Sequence, residues 1–127
     1  HLEEKGINIE DVGPHERVSV DYPDYAKKMC DLVLSKEADL GIAICGTGVG
    51  MSIACNKVSG IRASLCSESY TARLTRLHND SNVLCLGARV IGEELAMDIV
   101  DEYVSTDFSN DERHIRRINK LEGGINE

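Results

Sequence analysis

The feature that most restricts how this chain can fold is the run Asp39-Leu40-Gly41-Ile42-Ala43-Ile44-Cys45, which ends in Gly46-Thr47-Gly48-Val49-Gly50. A short unbroken apolar stretch closed by glycines reads as a strand buried on both faces, the kind found in parallel sheets. Residues 51–57 then read as a short helix leaving the turn. The same alternation recurs downstream. Ile61-Arg62-Ala63-Ser64-Leu65-Cys66 predicts a strand and residues 69–77 a helix; Asn82-Val83-Leu84-Cys85-Leu86 predicts another strand. Residues 92–104 then predict a helix with Leu95, Ile99 and Val100 on one face. Upstream, residues 24–35 carry Tyr25, Ala26, Met29, Leu32 and Val33 at helical spacing, with Pro23 suited to the helix start. Charged residues 111–121 also predict a helix.

Strands alternating with helices imply parallel βαβ units with right-handed crossovers. The expected fold class is therefore α/β, a doubly wound parallel sheet in a Rossmann-like three-layer α/β/α sandwich. With 127 residues and no linker or repeat, one domain is expected over residues 1–121, followed by a frayed tail over 122–127. Four Tyr, one Phe and no Trp leave Val, Ile, Leu and Ala to fill the core. The opening His1-Leu2-Glu3-Glu4-Lys5-Gly6 looks like a last helical turn with a glycine C-cap, so an N-terminal segment is expected to precede it. Ile7-Asn8-Ile9-Glu10-Asp11-Val12 alternates like a short strand that Gly13-Pro14 ends.

A formal charge of −8 argues against a nucleic-acid surface or an anionic membrane as partner, although local cations can still bind a phosphate. Cys30, Cys45, Cys55, Cys66 and Cys85 sit mostly in apolar runs without Cys-x-x-Cys pairs. They read as reduced thiols of a cytoplasmic protein, without zinc-site spacing. No apolar run approaches membrane-spanning length and no signal peptide is visible.

Ligands of open parallel sheets sit beyond the carboxyl ends of the strands. That rule points to 45–50, to His78-Asn79 and to Gly87-Ala88-Arg89. In Cys45-Gly46-Thr47-Gly48-Val49-Gly50-Met51-Ser52, alternate glycines let backbone amides converge on an anion at the start of a helix. It is not a P-loop, because no Lys follows Gly50, nor a dinucleotide fingerprint, which needs glycine where Met51 stands. A plain tight turn is the competing reading. Cys45 tips the balance, since a sulfur at the lip of such a turn is placed to act as a nucleophile or base. The other four cysteines read as small buried hydrophobes. His78, in Arg76-Leu77-His78-Asn79-Asp80, suits acid–base work or a helix C-terminus; His1, His15 and His114 have weaker claims. Arg113 and Arg117 are i, i+4 neighbours, fit either to hold a phosphate or to form a solvated face with Asp111 and Glu112.

Together these residues resemble the type B ribose-5-phosphate isomerase family, also called the ribose/galactose isomerase family. The resemblance is carried by Val20-Asp21-Tyr22-Pro23-Asp24-Tyr25, the block from Ile44 through Ala54, Asn56-Lys57 and Gly60-Ile61-Arg62-Ala63. It continues in His78-Asn79-Asp80, Asn82-Val83, Gly87-Ala88-Arg89-Val90-Ile91-Gly92 and Arg113-His114 with Arg117. It implies an aldose–ketose isomerase acting on ribose 5-phosphate and ribulose 5-phosphate through an enediolate, without metal or other cofactor. By position, Cys45 would be the base, Thr47 and the amides of Gly46, Gly48, Val49, Gly50 and Ser52 would support the oxyanion, and His78 would open the sugar ring. Asp21, Tyr22 and Asn79 would line the sugar; Arg89, Arg113 and Arg117 would hold its phosphate, the last two across a homodimer or tetramer interface.

Two departures from the family stand out. The family begins with a strand carrying an Asp-His pair, which this sequence lacks, and it commonly has Gly-Gly where this chain reads Asn110-Asp111-Glu112. Isomerisation of a galactose or allose 6-phosphate is a neighbouring alternative. A non-catalytic phosphosugar-binding subunit is a third.

Overall fold

The computed structural model describes residues 1–15 and 20–123. A 3-10 turn over Glu3–Lys5 closes on Gly6, whose φ of 79° and amide bond to the Glu3 carbonyl make it the expected C-cap. After it come α1 (Tyr22–Leu34), β1 (Gly41–Cys45), α2 (Val49–Asn56), β2 (Ala63–Leu65) and α3 (Ser69–Asn79). The chain continues through β3 (Val83–Gly87), α4 (Glu93–Ser105) and α5 (Glu112–Gly123). Each strand and helix expected from residue 24 onward is present, with shifts of a few residues at their ends. Among the described residues no helix is long and apolar enough to cross a membrane.

The three strands form a parallel sheet in the order β1-β3-β2. Gly41 pairs with Val83 and Cys45 with Gly87; on the other side Ala63 pairs with Val83 and Leu65 with Cys85. Successive strand side chains point to opposite faces, and β3 is buried along its whole length. Val83 and Cys85 face a core with Ala26, Met29, Cys30 and Val33 of α1 and Met51 and Cys55 of α2. Leu84 and Leu86 face the opposite core with Ala72 of α3 and Ile99 and Tyr103 of α4. Helices therefore cover both faces, giving the three-layer sandwich. Full burial of a side chain such as Leu84 or Ile99 is worth about 1.5–3 kcal/mol.

The strand expected at Ile7 to Val12 does not form. A strand needs neighbours for its amides, whereas the Ile7 N–H turns back to the Leu2 carbonyl and the Gly13 N–H to the Asp11 carboxylate. Ile7 and Ile9 stand exposed, so the alternation has no core to face. The segment instead borders an open groove of about 1330 Å³ beside β1, which is an edge strand. At the other end, α5 continues through Gly123, and Glu122 pairs with Arg62; residues 124–127 of the expected tail lie outside the described residues.

Candidate active site

At the carboxyl end of the sheet, the glycine turn lies flat against the strand ends. Gly48 has a φ of 81°, and a Cβ on it would come within 2.5 Å of Leu65 Cδ1 and 2.9 Å of the Leu86 carbonyl carbon. A Cβ on Gly87 would lie 2.5 Å from the Thr47 carbonyl oxygen. Side chains at either position would lift the turn off the sheet. The loop after β3 fastens it from the other side: the Ala88 N–H donates to the Cys45 carbonyl at 2.8 Å, and the Arg89 N–H to the Gly46 carbonyl at 2.9 Å.

This packing leaves Cys45 half-buried at the end of β1, with the Gly48 N–H donating to its sulfur at 3.2 Å. Thr47 is exposed, its hydroxyl accepting from the Val49 N–H at 3.3 Å, and the Ser52 hydroxyl donates to the Val49 carbonyl at 2.7 Å. The Tyr22 ring lies over Gly50, where a Cβ would come within 2.8 Å of its hydroxyl, and Asp21 precedes it at the start of α1. Arg89 lies alongside Gly46, its Cδ 3.5 Å from the position of a Cβ there. Cys45, the amides of the turn, Thr47, Ser52, Tyr22 and Arg89 are thus gathered at one end.

The other four cysteines are unlike Cys45. Cys30, Cys55, Cys66 and Cys85 are wholly enclosed, and all five are free thiols. A sulfur contact with Cys55, with burial, pushes the Cys30 thiol well up; burial first, then the charge of Glu68, pushes Cys66 up to about 11. A raised thiol pKa leaves little reactive thiolate at neutral pH.

A second cluster occupies the opposite, amino end of the sheet. His78 and Asn79 close α3, just before β3 begins. The expectation that placed them beyond the strand ends with Cys45 is overturned, because residues that lead into a parallel strand lie at its amino end. Here α5 packs against α3, and the imidazoles of His78 and His114 stack with ring centres 4.3 Å apart and planes inclined by 21°. The Arg113 guanidinium donates to His114 Nε2 at 3.4 Å. Arg62 ties the region together, donating to the Asn79 carbonyl at 3.0 Å and the Asp80 carbonyl at 2.8 Å and pairing with Glu122 at 2.5 Å.

The departure at Asn110-Asp111-Glu112 has a local explanation. Asn110 takes a φ of 60°, a left-handed conformation that asparagine tolerates. Asp111 then accepts from the Arg113 N–H at 2.9 Å as α5 begins. That amide, followed by the charges of Arg113, His114 and Arg117, holds the Asp111 carboxyl below its usual range. His114 is held below the usual histidine range by loss of water first, then by His78 and Arg113. Arg113 and Arg117 are exposed and make no ion pair among the described residues, so the alternative of side chains paired with Asp111 and Glu112 is not what is seen. The structure brings His114 and Arg62 into this cluster, although neither stood out as a site residue in the sequence. The only signal for His114 was its position beside Arg113; its contact with His78 needs the fold.

The ribose/galactose isomerase family model matches residues 1–121. Ribose-5-phosphate isomerase B of Escherichia coli is 48% identical over 121 residues, which cover 95% of this chain and 80% of that protein. The structure of Clostridium thermocellum ribose-5-phosphate isomerase B is similar with a TM-score of 0.93 at 50% identity, covering 96% of this chain and 82% of that one. That of ribose-5-phosphate isomerase B from Mycoplasma genitalium, with bound ribulose-5-phosphate, is similar with a TM-score of 0.92 at 41% identity, covering 100% of this chain and 84% of that one.

Proposed function

This chain belongs to the ribose/galactose isomerase family, and from that premise we propose that it interconverts ribose 5-phosphate and ribulose 5-phosphate, with residues 1–121 as one isomerase domain. The observation that carries the reading is Cys45: among the five cysteines it alone is only partly buried, at the strand end, with a backbone amide directed at its sulfur. In the reaction, the furanose first opens. A base takes the proton from O1, the electron pair forms the C1 carbonyl, the C1–O4 bond breaks and O4 takes up a proton. Cys45 then removes the C2 proton of the open aldehyde and the negative charge moves to O1 as an enediolate; the O2 proton passes to O1, and as the C2 carbonyl forms the proton held by Cys45 returns at C1. The Thr47 hydroxyl and the turn amides not already engaged are the donors for that oxyanion; the Gly48, Val49 and Ser52 N–H groups donate to Cys45 Sγ, the Thr47 hydroxyl and the Gly48 carbonyl. Asp21 and Tyr22 line the sugar beside them.

His78, Asn79, Arg113 and Arg117 stand at the wrong end of their own sheet to serve their own Cys45. A five-residue strand alone spans roughly 15 Å. Two copies related by a two-fold axis resolve this, each supplying its amino-end cluster to the other's glycine turn. In that assembly His78 of one copy opens the ring, and Arg89 with the other copy's Arg113 and Arg117 holds the phosphate. Exposed Ile44, Val49, Ile53, Leu65 and Tyr70 around the turn favour such a contact. A cytoplasmic location fits this chemistry and five free thiols.

The test is to incubate the protein with ribose 5-phosphate in deuterated water and follow the products by NMR. Ribulose 5-phosphate carrying deuterium at C1 is expected; no turnover, or turnover of hexose 6-phosphates alone, would contradict the assignment.

A further inference from the structure

We infer that His114 is a positioning residue for ring opening, its imidazole serving as the flat surface that sets the plane of His78. The inference rests on the reading of His78 just given and adds a residue to it. Three observations carry it. The two rings are in stacking contact, 4.3 Å between centres and 21° from parallel, although they come from different helices, α3 and α5. Next, His78 is only partly enclosed, whereas His114 is 7% exposed, so the buried ring is the fixed partner and the more open one is the ring being oriented. Finally, His114 is itself oriented, because the Arg113 guanidinium donates to its Nε2 and Asp111 holds the first turn of α5.

Charge adds to this. The groups facing His114 are His78 from α3, with Arg113, Asp111 and Arg117 from its own helix. Lost water and the neighbouring cations hold its pKa below the usual histidine range and so favour the neutral form, in which Nε2 accepts from Arg113. A neutral ring offers His78 a stacking surface without a competing positive charge. A proton-transfer group held in one plane spends more of its time aligned with O1 or O4 of the sugar, and that alignment is worth rate rather than affinity.

The experiment separates ring opening from proton transfer. Ribulose 5-phosphate is acyclic, so exchange of its C1 proton with solvent requires Cys45 chemistry and no ring opening. For His114→Ala, kcat on ribose 5-phosphate is expected to fall about tenfold at nearly constant KM, while C1 exchange of ribulose 5-phosphate stays within about twofold of the unaltered protein. His114→Phe, which keeps a flat ring, is expected to recover most of the lost kcat. Three outcomes would overturn the inference. One is a rise in KM with kcat unchanged, which would make His114 a phosphate ligand. Another is loss of C1 exchange in step with kcat, as general unfolding would give. The third is a His114→Phe protein as slow as His114→Ala. Absence of C1 exchange in the unaltered protein would instead sink the isomerase reading itself.

Discussion

The two ends of this sheet offer different chemistry and are built from different materials. At the carboxyl end the site is made of backbone: amides, glycines and one sulfur, held by bonds from Ala88 and Arg89 to the turn. At the amino end it is made of side chains, two stacked imidazoles and several guanidiniums, held by Arg62, Asp80 and Glu122. The first arrangement stabilises negative charge that appears during a reaction, because fixed dipoles need no reorganisation. The second suits groups that carry charge or protons throughout, such as a phosphate and a ring oxygen. In the proposed reaction neither end is a complete isomerase site.

Substitutions at each end should give different signatures. The largest effect is expected for Cys45→Ala, where loss of the base should lower kcat by ~10²–10⁴-fold with little change in Tm; a coupled assay with a melting curve checks this, and unchanged turnover would dispose of the proposed base. Gly87→Ala should damage the same end through geometry. Its methyl would meet the Thr47 carbonyl, so a stability loss of about 1–3 kcal/mol in urea unfolding is expected together with reduced kcat. At the amino end, Arg113→Ala or Arg117→Ala should raise KM for ribose 5-phosphate about tenfold each, the worth of one charged hydrogen bond, and leave kcat largely intact. A fall in kcat alone would blur the contrast between the two ends.

The smallest effect is a pH dependence of stability confined to the amino end. His114 has a depressed pKa in the folded chain. As pH falls below about 6.5, the unfolded chain takes up that proton first, so stability is lost on acidification through this window. Asp111, also depressed, contributes stability that is present above the usual carboxylate range and lost as pH falls through its folded value. Melting curves of the unaltered protein and His114→Phe between pH 7.5 and about 5 should converge at the acid end less steeply for the variant; identical slopes would remove His114 from the account.

The contrast also explains what could be read from the chain alone. The carboxyl end was legible because its elements are contiguous: an apolar run, alternate glycines and a cysteine at the boundary leave one plausible local structure. Burial on both faces was expected of the run ending in Cys45, but β1 lies at the sheet edge and its Ile44 is exposed; the strand buried along its whole length is β3, which the sequence marked only as a strand. The amino end was not legible, because it is assembled from residues 62, 78–80 and 111–122, and nothing local tells His78 that it meets His114. Ile7 to Val12 failed differently: its alternation was genuine, but a strand exists only with a neighbour to bond, and period-two patterning carries no information about neighbours.

The central claim is that one copy's glycine turn works with another copy's histidine. Cys45→Ala and His78→Ala chains, carrying different affinity tags, should be co-expressed and the mixed assembly purified through both tags. Each variant alone should be strongly impaired on ribose 5-phosphate, whereas a mixed dimer would contain one site with both residues intact. Activity near half that of the unaltered protein is expected. A mixed dimer no more active than its parents would contradict the shared site.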